Sequence, residues 1–175
     1  MNWRVGASTG SVIDRPIAAA VAEIQRAGIQ GIEVATPPRH FDPARNLEVA
    51  ALDSQLRAAG TLPVSVHAPF GGMLDLSDPN PHHRHAAIGA IVTSASALLA
   101  LGGRIVVVHP TDTERNGQDV GARLDHCIES LSILARALDA MGLLLAVESP
   151  LPHLIGGDAG EFRHLLERVP TAGVC

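Results

Sequence analysis

The segment Ile105-Val106-Val107-Val108-His109-Pro110 is a short apolar run that ends in a histidine and a proline. Two other segments have the same form, Val64-Ser65-Val66-His67-Ala68-Pro69 and Leu144-Leu145-Ala146-Val147-Glu148-Ser149-Pro150. An imidazole or a carboxylate that closes an apolar strand is costly to bury unless it has partners. A metal ion bound by all three side chains would offset that cost, so the pattern predicts strands that converge on one site.

Strand and helix signals alternate along the whole chain. Predicted strands cover residues 4–8, 31–35, 63–67, 104–109 and 143–148, and a sixth is predicted to begin after residue 170. Helices are expected at residues 16–27, 46–59, 83–101, 120–141 and 159–168, with Asn46 and Asp158 as N-caps. The first four helices are each predicted to end at a glycine, namely Gly28, Gly60, Gly102 and Gly142.

Continuous apolar strands indicate a parallel sheet that is covered by helices. Right-handed crossovers then place the carboxyl ends of all the strands on one face. His67, His109 and Glu148 are therefore expected on that face, and Glu33 is expected at the same edge. A barrel and an open doubly wound sheet both form their sites there. No Gly-x-Gly-x-x-Gly motif follows the first strand, so a dinucleotide-binding fold would lack its phosphate loop.

Composition argues against several classes of function. With 175 residues, 46% of them apolar, the chain is expected to form one domain with a buried core. The formal net charge is −5 and the 13 basic residues are all scattered arginines, which argues against nucleic-acid binding. Cys127 and Cys175 form no metal or disulfide motif. The apolar run at residues 88–101 is too short to cross a bilayer, and we see no signal peptide, so we expect a cytoplasmic protein.

Four segments together resemble one known family. They are Gly31-Ile32-Glu33, Val66-His67-Ala68-Pro69, Val107-Val108-His109-Pro110 and Ala146-Val147-Glu148. Their combination is similar to the xylose isomerase-like TIM barrels, which include sugar-phosphate isomerases and epimerases and the endonuclease IV class of DNA-repair enzymes. The resemblance implies an α/β fold of the parallel (β/α) barrel type, a partial barrel of about five βα units out of eight. Residues 1–175 would form a single domain that stops as strand six begins, before the family's later metal ligands.

The resemblance also implies a reaction and a site. It indicates a metal-dependent isomerase or epimerase that moves a proton next to a carbonyl through an enediolate, acting on a sugar or a sugar phosphate. The metal would be a divalent ion: Mn²⁺, Mg²⁺, Co²⁺ or Zn²⁺. Glu148 matches the family's strand-five ligand and is the predicted catalytic group. His67 and His109 match either metal ligands, as in endonuclease IV, or substrate-binding residues, and Glu33 is a further candidate for substrate binding or for orienting a histidine.

Structural roles compete with these assignments. Glu148 can pair with an arginine, Glu33 can pair with Arg4 or Arg39, and a strand-end histidine can bond a neighbouring carbonyl group. We expect His82, His83 and His85 to form a solvated helix start, and Asp75 and Asp78 to form turns. Arg39 and His40 are of types that bind phosphate, but their spacing gives no support for it.

Two other functions remain open from the sequence. One is an endonuclease IV-like nuclease, which would need a basic groove of the size of DNA. The other is a catalytically inactive partial barrel that associates with itself through the exposed edges of strands one and five.

Overall fold

The computed structural model describes residues 5–169 and 172–174. The strands are β1 (Gly6–Ser8), β2 (Gly31–Ala35), β3 (Leu62–His67), β4 (Ile105–Val108), β5 (Leu144–Val147) and β6 (Ala172–Val174). The helices are α1 (Ile17–Arg26), α2 (Asn46–Ala59), α3 (Pro81–Leu101), α4 (Val120–Ala140) and α5 (Ala159–Arg168), and a 3₁₀ turn, Thr9–Val12, follows β1. The strands lie in the sheet in chain order. The predicted order of strands and helices is confirmed.

Several predicted boundaries are corrected. β4 ends at Val108 and β5 at Val147, so His109 and Glu148 each lie one residue beyond the strand that was predicted to contain them. The N-cap of α2 is Arg45, and Asn46 is the first helical residue. The prediction that strand five forms an edge of the sheet is wrong, because β5 pairs in parallel with β6.

Two compact units make up the described part of the chain. The first contains residues 5–67 and 93–106, and the second contains residues 68–92, 107–169 and 172–174. Both units consist of parallel strands and the helices that connect them. The prediction that residues 1–175 form a single domain stays a prediction.

The first unit has β1, β2 and β3 paired in parallel. Its buried core includes side chains of β2, α1 and α2, namely Ile32, Val34, Val21, Leu52 and Leu56. Burial of each such side chain stabilises the fold by about 1.5–3 kcal/mol. Gly103 leads from α3 into β4, and a Cβ at that residue would lie 2.7 Å from the carbonyl oxygen of Pro63 and collide with Leu98. Position 103 therefore accommodates only glycine, which has no Cβ.

The second unit is organised around α4, whose N-cap Asp119 accepts a hydrogen bond from the amide of Ala122. The helix buries a stripe of side chains at helical spacing: Leu124, Cys127, Leu131, Leu134 and Leu138. Asp158 caps α5 as predicted and accepts hydrogen bonds from the amides of Gly160 and Glu161. Cys127 is a small core residue as predicted, and burial raises the pKa of its thiol.

The helix α3 is longer than its apolar run. It has 21 residues with a mean hydropathy of 1.4 over its most apolar stretch, which is enough to cross a membrane by length and composition alone. The prediction that the apolar run is too short to cross a bilayer does not count the first turns of the helix. Its buried residues recur at helical spacing, as in a helix that covers a sheet: Ala87, Ile91, Ala95 and Leu98.

Candidate active site

Two of the predicted site residues, His109 and Glu148, meet in the second unit. The imidazole Nε2 of His109 lies 3.5 Å from the carboxylate Oε2 of Glu148. The amide of Glu148 donates a hydrogen bond of 3.0 Å to the carbonyl of Val108, so backbone pairing places the two residues side by side. The side chain of His109 is 17% exposed and that of Glu148 is 42% exposed, which leaves both within reach of a small ligand.

The distance between these two side chains fits a shared metal ion. It is longer than the 2.7–3.2 Å that is typical, as a rough range, of an N–H···O hydrogen bond. Two ligand atoms that each lie about 2.1 Å from one ion, at a near-tetrahedral angle, are about 3.4 Å apart. Imidazole nitrogen and carboxylate oxygen are also common metal-ligand types in proteins. The residues present therefore fit a divalent ion.

An aromatic ring fixes the plane of the His109 imidazole. Phe70 stacks on it with the ring centroids 3.8 Å apart and the planes 5° from parallel. Phe70 is 44% exposed and lies in the loop between β3 and α3, which is longer than most connections between a strand and a helix. The stacked ring covers one face of the imidazole and limits its rotation.

His67 is the last residue of β3 and belongs to the first unit. Its side chain is half-buried, and its carbonyl accepts a hydrogen bond of 2.8 Å from the hydroxyl of Thr36. The next residue, Ala68, donates its amide to the carbonyl of Val107 at 2.9 Å within the second unit. His67 is thus the last residue of the first unit before the chain continues into the second.

Glu33 has a hydroxyl partner on the neighbouring strand β3. The hydroxyl of Ser65 donates a hydrogen bond of 2.9 Å to Glu33 Oε2, and the two residues are partners in the β2–β3 register. Arg4, one of the arginines predicted to pair with Glu33, lies outside the described residues. Glu33 is half-buried in the first unit, on the strand that precedes β3.

The histidines at the start of α3 have local partners, as expected of a helix start. His83 Nδ1 lies 3.1 Å from Asp78 Oδ2, and His85 Nδ1 lies 2.7 Å from the carbonyl of Pro81. Burial alone would raise the pKa of Asp78, but the amide of Asn80 and the ring of His83 together hold it below its usual value. Asp78 is a turn former as predicted.

His40 is a structural residue and not a phosphate ligand. It is 3% exposed, its Nδ1 lies 2.6 Å from the carbonyl of Arg15, and its Nε2 lies 3.0 Å from the hydroxyl of Thr9. Both ring nitrogens are therefore occupied by the protein.

A buried ion pair joins the loop that carries Phe70 to α4, and the sequence-based predictions do not contain it. Asp75 accepts a hydrogen bond from the amide of Ser77, as a turn former does, but it also pairs with Arg123 of α4 at 3.1 Å. The two side chains are 5% and 11% exposed. One sequence signal was available, because Arg123 falls on the buried stripe of α4, where an arginine requires an acidic partner.

The segments that follow β4 and β5 are also bonded to each other. The amide of Ile155 donates to the carbonyl of Thr113 at 3.0 Å, and the amide of Arg115 donates to the carbonyl of His153 at 3.2 Å. The guanidinium of Arg115 makes two bonds, of 2.7 and 3.0 Å, with the carboxylate of Glu161. These bonds hold together the two segments that begin with His109 and Glu148.

Parallel strands joined by helices, with ligand-type side chains just beyond the strand ends, define an α/β protein of the TIM-barrel type. The chain belongs to the xylose isomerase-like TIM barrel family, whose sequence model matches residues 21–175. This confirms the family that the four strand-end segments resemble. A comparison with curated proteins gives no significant match.

Solved structures confirm the partial-barrel fold. A D-psicose 3-epimerase with D-tagatose from Clostridium cellulolyticum H10 superposes with a TM-score of 0.79 at 16% identity, over 98% of this chain and 62% of that one. An AP endonuclease of family 2 from Brucella melitensis gives 0.76 at 20% identity, over 98% and 67%. A protein from Thermus thermophilus, soaked with ZnCl₂, gives 0.70 at 22% identity, over 100% and 66%. The chain thus spans about three fifths of the length of the epimerases.

Proposed function

We propose that this chain supplies the metal-binding and proton-abstracting part of an isomerase or epimerase that acts on a small sugar or sugar phosphate. The observation that carries the proposal is the approach of His109 to Glu148, two partly exposed side chains of metal-ligand type just beyond adjacent strands. Membership of the xylose isomerase-like family supports it. The likeness in fold to a D-psicose 3-epimerase with bound D-tagatose is consistent with it.

His109 and Glu148 would hold the divalent ion, and His67 would supply a third ligand. His67 is the last residue of β3. The next residue, Ala68, donates its amide to the carbonyl of Val107, which lies two residues before His109. Two imidazoles and one carboxylate favour Zn²⁺ over Mg²⁺, which prefers oxygen ligands. When bound, the ion would polarise the sugar carbonyl and stabilise the negative charge that develops on its oxygen.

Glu148 is the proposed base. Its carboxylate would remove the proton from the carbon next to the carbonyl, so that a C–H bond breaks and an O–H bond forms on Glu148. The 42% exposure of its side chain gives a substrate access to the carboxylate. Because the chain spans about three fifths of the epimerases it resembles, we assign only this half of the reaction to the described residues.

Glu33 and His67 are the proposed hydrogen-bonding partners of substrate hydroxyl groups. Glu33 holds one carboxylate oxygen on Ser65, and the carboxylate has further lone pairs with which to accept a hydroxyl. His67 would act here only in forms of the site in which it is not a metal ligand.

A nuclease is the second candidate, because the Brucella melitensis protein of similar fold is an AP endonuclease. The charge of the chain speaks against it. The net charge is −5, and eight arginines of the described residues lie in ion pairs with carboxylates: Arg15, Arg26, Arg45, Arg57, Arg84, Arg115, Arg123 and Arg163. Paired arginines leave little positive surface for a phosphate backbone.

Hydrogen exchange into the substrate tests the proposal at its first step. Ketohexoses would be incubated with the Zn²⁺- or Mn²⁺-loaded protein in D₂O, and NMR would follow deuterium at the carbon next to the carbonyl. We expect exchange with the wild type, and a loss of about 10²–10⁴-fold in Glu148→Gln. The matched control is Glu167→Gln, an exposed glutamate on α5.

Unchanged exchange in Glu148→Gln would remove Glu148 from the reaction. Nicking of abasic-site DNA by the wild type, without exchange into sugars, would favour the nuclease. A folded protein that does neither would contradict both proposals and favour an inactive partial barrel.

A further inference from the structure

We propose that Asp75 is a positioning residue for the His109–Glu148 site, acting through Phe70 and Thr111 without touching a ligand of the metal. This inference rests on the proposed function, since it assigns to His109 and Glu148 a role as metal ligands. Asp75 accepts more hydrogen bonds than a turn requires.

Both oxygens of the Asp75 carboxylate are occupied. Oδ1 accepts bonds from the amide and from the hydroxyl of Ser77, both at 2.8 Å. Oδ2 accepts from the hydroxyls of Thr113 at 2.6 Å and Thr111 at 3.2 Å, and from the guanidinium of Arg123 at 3.1 Å. A turn former needs only the bond to the amide of Ser77. Apart from the hydroxyl of Ser77, the remaining donors come from the segment that follows β4 and from α4.

Arg123 makes this arrangement rigid. Its guanidinium also donates to the hydroxyl of Ser77 at 2.9 Å, and its Nε donates to the side-chain carbonyl of Gln118 at 2.9 Å. The hydroxyl of Ser130, further along α4, donates to the carbonyl of Leu76 at 2.8 Å. Because the charges are buried and each has several partners, the loop cannot leave α4 without exposing an unpaired ion.

Two connections link the candidate site to Asp75 and its hydrogen-bond partners. Phe70, which stacks on His109, is joined to Asp75 by a tight turn in which the amide of Leu74 donates to the carbonyl of Gly71 at 3.0 Å. Thr111 lies two residues after His109 in the chain. Asp75 thus fixes both the ring that stacks on the imidazole and the backbone that follows it.

The substitution Asp75→Asn tests this role, because it keeps the shape of the side chain and removes its charge. Co²⁺ binding to the full chain would be measured by titration and by visible absorption, which reports ligand geometry. We expect about tenfold weaker binding and an altered spectrum, as is typical of residues that orient metal ligands. Asp78→Asn is the matched control in the same loop, and we expect it to retain the affinity and the spectrum of the wild type.

Two milder variants test the same role in case Asp75→Asn does not fold. Thr113→Val removes the 2.6 Å bond to Asp75 and leaves the Arg123 pair in place, and Thr113→Ser restores a hydroxyl. We expect Thr113→Val to weaken Co²⁺ binding and alter the spectrum, and Thr113→Ser to rescue both. Wild-type affinity and spectrum in Thr113→Val, or in folded Asp75→Asn, would overturn the proposal.

A separate measurement distinguishes failure of this inference from failure of the proposed function. If the wild type binds no Co²⁺, or if Glu148→Gln binds it equally well, the proposed metal site is wrong. The role of Asp75 is then decided in the metal-free protein by NMR, from the upfield ring-current shift that Phe70 produces on the His109 ring protons. We expect Asp75→Asn to reduce that shift, and an unchanged shift would overturn the inference.

Discussion

The segments that follow β2 and β4 each hold a histidine, and the structure uses the two in different ways. His40, after β2, is 3% exposed and bonds a carbonyl group and a hydroxyl group of its own unit. The side chain of His109, after β4, is 17% exposed and directs Nε2 towards the carboxylate of Glu148. His109 directly follows β4, whereas His40 lies five residues beyond the end of β2.

The difference lies in the partners. A carbonyl and a hydroxyl satisfy a neutral imidazole and leave it no lone pair for a ligand. A carboxylate 3.5 Å away is too far for a strong hydrogen bond, and it adds a second ligand atom directed towards the same point. The environment of each ring therefore distinguishes the structural histidine from the candidate ligand.

The largest effect is expected from replacing the candidate ligand. His109→Gln should weaken Zn²⁺ binding by about 100-fold, since a direct ligand contributes at least as much as the outer residues that orient it. The metal-free protein should lose about 0.5–1.5 kcal/mol of stability in thermal unfolding, because the variant also loses the stacking of the imidazole on Phe70. Calorimetric titration measures the affinity, and His164→Gln on the exposed face of α5 is the control. Equal Zn²⁺ affinities of His109→Gln and His164→Gln would show that His109 is not a ligand, and the contrast with His40 would be lost.

The opposite pattern is expected for the structural histidine. His40→Ala should lower the free energy of unfolding by about 2 kcal/mol, because it leaves the buried hydroxyl of Thr9 and the carbonyl of Arg15 without their ring partner. Zn²⁺ affinity of the folded variant should match that of the wild type. Urea unfolding supplies the stability, and a loss of Zn²⁺ binding in folded His40→Ala would place His40 at the site after all.

Removing the stacked ring should have an intermediate effect on the site. Phe70→Ala takes away a ring pair worth about 0.5–1.5 kcal/mol, so we expect Zn²⁺ binding to weaken by roughly three- to tenfold. Met73→Ala, in the same loop and 69% exposed, should bind as the wild type does. If both variants bind equally well, Phe70 does not orient His109.

The smallest effect concerns acid stability at the start of α3. Because the folded-state pKa of Asp78 is lowered, its charged form stabilises the protein above the usual carboxyl pKa, and this contribution is lost as the pH falls through the folded-state value. Asp78→Asn should therefore cost about 0.5 kcal/mol near pH 6 and progressively less below pH 4, since solvent screens the pair with His83. Unfolding curves at several pH values would show a constant difference if this assignment is wrong.

Local signals predicted most of the fold. The glycines that end the first four helices and the cap at Asp158 depend only on neighbouring residues, and the structure places them as expected. The error at Asn46 has a local cause as well, since a residue well suited to the N-cap stands one position inside the helix. The ends of β4 and β5 were each missed by one residue, because apolar character alone does not mark where backbone pairing stops.

Long-range contacts explain what the sequence could not show of the site. His109 and Glu148 lie close together because parallel strands end at one edge of the sheet. The sequence pattern predicted this proximity. The pairing of Asp75 with Arg123 joins residues 48 positions apart, and the stacking of Phe70 on His109 depends on the path of a long loop. The stacking has no periodic signal, and the place of Arg123 on the buried stripe of α4 indicates an acidic partner without identifying it, so both contacts became visible only in the structure.

The position of a bound ion tests the central claim most directly. Crystals of the full chain would be soaked in Zn²⁺, and anomalous scattering would locate the metal. We predict a peak within bonding distance of His109 Nε2 and Glu148 Oε2, close to Phe70 and at the carboxyl ends of β4 and β5. A peak elsewhere on the chain, with these two side chains still 3.5 Å apart and no metal between them, would contradict the account.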